Sequence, residues 1–279
     1  MTQASIKTPK YSVLMSVYKK EEPDRLRSSM LSIYRQTLPT DDYVLVCDGP
    51  LTAELDAVII EMQNLFGTVL HVCRLNRNMG LGNALNIGLA ECRHDIIVRM
   101  DSDDISIENR CDLEVGYMTD HPDVDIVSGT ILEFCGSTKN ITGKRELPQN
   151  HEEICIYSKK RNPFNHPAVA FRKKAVLDAG SYNETYHLFE DYYLWIRMLK
   201  NGSHGHNLKE PVLYMRTPAD IYRRRGGVQY ARDMIRFHRW LRKTGWSSLK
   251  AYMTGAIPHF VVCILPSGMR RIVYRVLHK

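Results

Sequence analysis

Three carboxylates stand within four residues at Asp101-Ser102-Asp103-Asp104. Carboxylates at that density repel one another and resist burial unless a cation neutralises them. Mg²⁺ and Mn²⁺ suit the task, because they take oxygen ligands and keep positions open for substrate phosphates. The alternative is that Ser102 and the aspartates cap a helix over residues 105–117. The preceding residues, 96–100, are an apolar run of strand length, so the acids stand where a buried strand ends.

Other residues invite chemistry. Asp48, before Gly49-Pro50, can accept a hydrogen bond from a base N–H or a ribose hydroxyl, or it can cap the turn. The stretch NRNMGLGNALNIG (76–88) puts Arg77 and Asn78 at the start of an expected helix, a favourable place for an anion. It matches neither GxGxxG nor a Gly-Lys-Ser/Thr loop, which disfavours a dinucleotide or ATP site, and its glycines equally suit close helix–sheet packing. Glu190-Asp191 opens a helix rich in aromatics. Acids there stabilise the helix dipole, and in an apolar setting their pKa rises, which suits a general base. His166 has no second histidine at ligand spacing, which argues for a hydrogen-bonding fixture over zinc. Arg223-Arg224-Arg225 before Gly226-Gly227 is either a closing phosphate clamp or a solvated charge run.

These residues must be positioned by larger elements. Apolar runs at 11–18, 43–47, 69–74 and 96–100 alternate with helical spacing at 22–36, 52–65 and 78–90. That alternation predicts βαβ units and a parallel sheet. Ligands bind such sheets at the carboxyl ends of the strands, where Asp48 and Asp101–Asp104 both fall. Further on, the pattern predicts a strand at 124–131, a loop or hairpin at 136–150 and a weak helix at 152–157. A short strand ending at Phe171, helices at 172–178 and 189–200, and a last strand at 212–216 follow.

Of the 279 residues, 44% are hydrophobic and 25% charged, which fits one large α/β domain with an appendage. Seven scattered cysteines without CxxC predict free thiols in a reducing compartment. The start lacks a signal-peptide pattern, and no run approaches the ~20 apolar residues of a membrane span. The net charge of +7 is uneven: from Arg216 onward 14 Lys/Arg face two Asp/Glu, whereas residues 1–215 carry 24 against 29. Such asymmetry implies an anionic partner, whether nucleic acid, membrane surface or phosphorylated substrate. In the tail, Pro258 breaks an apolar run at 255–265, and residues 269–277 set Ile272, Val273 and Val276 against Arg270, Arg271 and Arg275. A basic amphipathic helix of this kind suits an anionic membrane, or packs on the body.

Taken in order, SVLMSVYKKE, CDGP, NxGLGNALNIGL, RMDSDD, NHPAVAFRK, EDYYLW and MRTPADIYRRRGG resemble the family 2 glycosyltransferases, inverting enzymes of the GT-A fold. The resemblance runs from Tyr11 to Gly227. It is narrower toward bacterial enzymes of capsule, exopolysaccharide or O-antigen synthesis. It implies an α/β fold with a mostly parallel Rossmann-like central sheet flanked by helices, a catalytic domain over 1–227 and a basic helical extension over 228–279. It also implies site roles. Val17, Tyr18, Lys19 and Glu22 would line the nucleotide pocket, Asp48 would bind the base, and Asn78, Leu81 and Asn86 would shape the donor site. Arg99, Asp101 and Ser102 would lie near the ribose or sugar, and Asp103 would hold Mn²⁺ or Mg²⁺. Arg223, Arg224 and Arg225 would close on the diphosphate. Asp191 would be the catalytic base, with Glu190 and His166 on the acceptor side. The expected donor is a UDP-linked hexose or N-acetylhexosamine, with dTDP-rhamnose a further option. The acceptor would be a lipid-linked oligosaccharide at the inner face of the cytoplasmic membrane, reached through the basic helix. Nucleic acid is not an expected partner. The rivals are a sugar-phosphate nucleotidyltransferase, whose Gly-rich signature is missing from YSVLMSVYKK, and a non-enzymatic anion- or nucleic-acid-binding protein, for which no module is visible.

Overall fold

The computed structural model describes residues 9–186, 188–217, 227–265 and 269. The first strand, β1 (Tyr11–Val17), is buried along almost its whole length, as a strand covered on both faces must be. Helix α1 (Pro23–Tyr34) follows, then β2 (Asp42–Cys47), α2 (Ala53–Phe66), β3 (Leu70–Arg74), α3 (Leu81–Glu91) and β4 (Ile96–Asp101). β1 pairs in parallel with β2 and β4, and β2 with β3. The strands expected in this half are therefore present, with their carboxyl ends side by side. Helix α3 lies close on the sheet because residue 88 is glycine: a Cβ there would come within 2.4 Å of Leu14 and 2.6 Å of Val46.

The second half is mixed. It comprises β5 (Ile105–Ser106), α4 (Arg110–Asp120), β6 (Val124–Cys135), β7 (Ser137–Arg145), α5 (His151–Tyr157), β8 (Val169–Arg172), α6 (Lys173–Asp178), α7 (Glu190–Lys200) and β9 (His204–Arg216). The described strands form one sheet in the order β3-β2-β1-β4-β8-β6-β9-β5, with β7 added to β6. β8 runs antiparallel to both β4 and β6, and β6 runs parallel to β9.

The structure corrects several boundaries. No helix starts at Ile105: that residue pairs with Tyr214 in β5–β9, and the helix begins only at Arg110. The acidic turn therefore caps no helix. α3 starts at Leu81 rather than Asn78, because Gly80 has φ +86° and the N–H groups of Met79 and Gly80 are bound elsewhere. Residues 137–145 form a hairpin strand on β6, and the last strand is longer than expected because it follows β6 from His204.

Two further helices, α8 (Val228–Lys243) and α9 (Leu249–Ile264), close the described chain. Pro258 lies inside α9 without ending it. α8 buries Met234, Phe237 and Leu241 in an aromatic cluster with Tyr186, Phe189 and Tyr192 at the start of α7. Arg223–Arg225, and the expected helix over 269–277 apart from Met269, lie outside the described residues. Cys47, Cys73, Cys92, Cys111, Cys135 and Cys155 are free thiols. Among the described residues no helix is long and apolar enough to cross a membrane.

Candidate active site

Asp48 stands just beyond β2, its N–H donating to the Val17 carbonyl at 2.8 Å. Its carboxylate is buried and accepts three bonds: from Met79 N at 2.6 Å, Gly80 N at 3.1 Å and Asn78 Nδ2 at 2.8 Å. Asp48 thus clasps the 78–80 turn to the sheet. Gly49 is required beside it, since a Cβ there would lie 2.6 Å from Asn78 N. Tyr18 and Leu81 flank the clasp with exposed side chains, whereas Val17 is buried. Asn86 faces elsewhere, exchanging two hydrogen bonds with the backbone of Tyr182.

The acidic turn follows β4. Arg99 Nη2 donates to Asp101 Oδ1 at 2.5 Å, and Ser102 Oγ donates to Glu21 Oε2 at 2.7 Å. Burial pushes Asp103 up to about 6, with repulsion from Asp101 and Glu21 adding to it and Arg25 opposing. Asp104 is buried and also raised, chiefly by burial and then by Asp101 and Asp103. Its Oδ1 accepts the Arg216 N–H at 2.7 Å, and Arg216 Nε donates to the Asp103 carbonyl, which fastens the turn to β9. Glu22 stands at the N-cap of α1, exposed and paired with Arg25 at 2.8 Å. Glu21, which the sequence reading passed over, is the glutamate that meets the turn. Its signal was the doubled acid before Pro23.

Asp191 lies in the first turn of α7, where its Oδ2 accepts from Asn162 Nδ2 at 2.7 Å. Burial raises its pKa and Glu190 adds to the rise, while the Tyr192 N–H, Asn162 and Arg99 counter it. Arg99 is the link between the two ends of the site. Its guanidinium is 1% exposed, and among the described residues Nε and Nη1 have no hydrogen-bond partner. Its charge acts on Asp191 and Asp104, and also on His166. Burial and that charge together hold His166 well below its ordinary pKa, so the ring is neutral at pH 7. His166 Nε2 lies 3.0 Å from the Tyr182 hydroxyl, and its ring packs near Trp195. Beneath, Arg110 donates to the Arg99 carbonyl at 2.8 Å and pairs at 3.0 Å with Glu114; both side chains of that pair are fully buried. Asn162 and Tyr182 were also missed. Asn162 opens the NPFNHP stretch, and its place before Pro163 in that irregular polar segment was its one signal.

Asp101 and Asp103, the carboxylates at the end of β4, are the residues that could hold a cation. Among the described residues no three His, Cys, Asp or Glu side chains converge as a closed cage. Such a donor set fits a hard ion that completes its shell with phosphate and water oxygens.

The family profile described as "Glycosyl transferase family 2" matches residues 12–180, well over half of the chain. The chain belongs to glycosyltransferase family 2. The match spans Asp48 and the acidic turn and stops short of Asp191. Over 268 residues, 96% of each chain, this family 2 member is 37% identical to the UDP-Gal:alpha-D-GlcNAc-diphosphoundecaprenol beta-1,3-galactosyltransferase of Escherichia coli. It is 38% identical to the amylovoran biosynthesis glycosyltransferase AmsE of Erwinia amylovora over 240 residues, 85% of this chain and 88% of that one. Among solved structures, a mannosyltransferase of Pyrobaculum calidifontis, in complex with GDP-Man and Mn²⁺, superposes with a TM-score of 0.66 at 15% identity, covering 98% of this chain and 81% of that one. S. aureus TarS gives 0.59 at 18%, covering 87% and 45%. The fold is the GT-A fold of these glycosyltransferases.

Proposed function

We propose that this glycosyltransferase moves galactose from UDP-galactose to a hydroxyl of an N-acetylglucosamine carried on a lipid diphosphate, with inversion, during synthesis of a bacterial surface polysaccharide. The observation that carries the reading is the arrangement about Arg99: a paired carboxylate turn on one side and a carboxylate of raised pKa, Asp191, on the other. The choice of donor and acceptor leans on the E. coli relative, similar along nearly the whole of both chains.

In this reading Asp103 and Asp101 would hold a divalent cation, which would supply positive charge for the departing diphosphate. Arg223–Arg225, which lie outside the described residues, add positive charge for it. Val17, Tyr18, Asp48, Asn78 and Leu81 form the nucleotide end, with Asp48 acting through the turn it clasps. On the opposite face of the sugar, Asp191 takes the proton of the acceptor hydroxyl as its oxygen attacks C1. The bond from C1 to the diphosphate breaks and UDP leaves. One displacement turns an α-linked donor into a β-linked product. Asn162 fixes the orientation of Asp191, and neutral His166 with Tyr182 lines the acceptor side beside Glu190. The enzyme works at the inner face of the cytoplasmic membrane.

The test is transfer from UDP-galactose to a synthetic GlcNAc-diphospholipid with Mn²⁺, with Mg²⁺ and with EDTA. A β-linked disaccharide, formed only with a divalent ion and lost in Asp191→Asn, is expected. An α-linked product, or full activity in EDTA, would overturn the mechanism, and turnover of another UDP-sugar alone would overturn the donor.

A further inference from the structure

Helices α8 and α9 carry more exposed apolar and basic surface than packing on the catalytic body explains. Leu249, Met253, Ile257 and Val261, spaced by four along α9, are 54, 51, 37 and 49% exposed. Such a ridge on the outside of a water-facing protein marks an interaction surface. Beside it runs a cleft between α8 and α9 of about 460 Å³, lined by Arg239, Arg242, Lys243 and Tyr252. It continues past Arg239 into a second hollow of about 390 Å³ that adds Arg232, Ile235 and Phe260. From Val228 to the end of the sequence Asp233 is the one acid.

We infer that this face docks on an anionic phospholipid bilayer, the α9 ridge entering the headgroup region and the α8 cations meeting lipid phosphates. Charge complementarity selects this occupant. A self-association face would set the arginines of one copy against those of another, and a nucleic acid would leave the apolar ridge wet. The combination of an apolar face with flanking Arg and Lys is the signature of helices that lie in a membrane interface. The opposite side of α8 packs through Phe237 on Phe189 and Tyr192, next to Asp191. The docked enzyme therefore keeps its base one helix layer from the bilayer. The inference goes beyond the proposed reaction and does not depend on which sugar is moved.

Full-length protein is floated with vesicles of phosphatidylcholine alone and of phosphatidylcholine with phosphatidylglycerol, at low and high salt. Binding to the anionic vesicles that weakens with salt is expected. Met253→Glu/Ile257→Glu should weaken it by at least about tenfold, and Arg239→Glu/Arg242→Glu comparably. Ile272→Glu/Val273→Glu, in the tail, should retain binding through α9. All these residues are surface or tail positions, and circular dichroism checks each fold. Binding unchanged in the α9 variant, or abolished only by the tail variant, would overturn the inference. So would a wild-type dimer that the α9 variant splits without either form binding vesicles, or binding to nucleic acid in place of vesicles. Failure of galactose transfer in solution, with vesicle binding intact, would count against the proposed reaction and not against this surface.

Discussion

Asp103 bears the sharpest test at the scale of single residues. Its carboxyl is lifted from an ordinary 3.8 to about 6 in the folded protein, so folding favours the protonated form. The stabilisation from that proton is complete below about pH 4 and is lost as pH rises through 6. Cation-free protein should therefore melt at a lower temperature at pH 7.5 than at pH 5 through this group. Asp103→Asn should flatten that slope and remove the Tm gain given by Mn²⁺; thermal scans in EDTA and in Mn²⁺ check both. In the proposed mechanism Asn162, hydrogen-bonded to Asp191 at 2.7 Å, positions that base. Asn162→Ala should lower kcat by about ten- to a hundredfold and move the acidic limb of the kcat profile to higher pH, because the lost hydrogen bond favoured the carboxylate. Asp101, Asp103 and Asp191 stood out in the sequence as candidates because acids at a strand end or among aromatics need a reason, and the structure gives Asp103 and Asp191 raised pKa values. Glu21, Asn162 and Tyr182 were harder to find: their partners lie 81, 29 and 16 residues away, and the doubled acid before Pro23 or the NPFNHP stretch marks a polar position without naming its partner.

Elements were legible where one element decides its own form. β1 to β4 are apolar runs separated by helical spacing, and they fold as that pattern says. The start of α3 was not, because Asp48 competes for the N–H groups that a helix would have left free at 79 and 80. β5 was hidden for the same kind of reason, since two residues become a strand only by meeting β9. Gly88 had two readings in sequence, phosphate loop or close packing. Its contacts with Leu14 and Val46 decide for packing. Gly88→Val should thus destabilise the fold by about 1–3 kcal/mol, measured by urea unfolding, while residual folded enzyme keeps its KM for donor.

For the whole molecule, the basic last quarter was plain in composition, but its attachment was not. The sequence sets an expected boundary at 227, and beyond it Phe237 stacks on Phe189 and packs against Tyr186 and Tyr192 at the head of α7. The helices beyond 227 should therefore unfold together with the catalytic body. Phe237→Ala should cost about 3–5 kcal/mol and lower activity along with stability. A separate low-temperature transition that leaves transferase activity intact would show instead that the extension is an independent unit. The order of strands has a further consequence, in the time over which the chain is made. β1 to β4 are joined by local crossovers and can assemble as they leave the ribosome. The edge of β4 then waits for β8, and the acidic turn waits longer, because Asp104 is bound by Arg216, 112 residues downstream. An open strand edge is a template for wrong pairing. Substitutions in β8 and β9 will therefore register first as lost yield of folded protein during synthesis, before any assay of catalysis can see them.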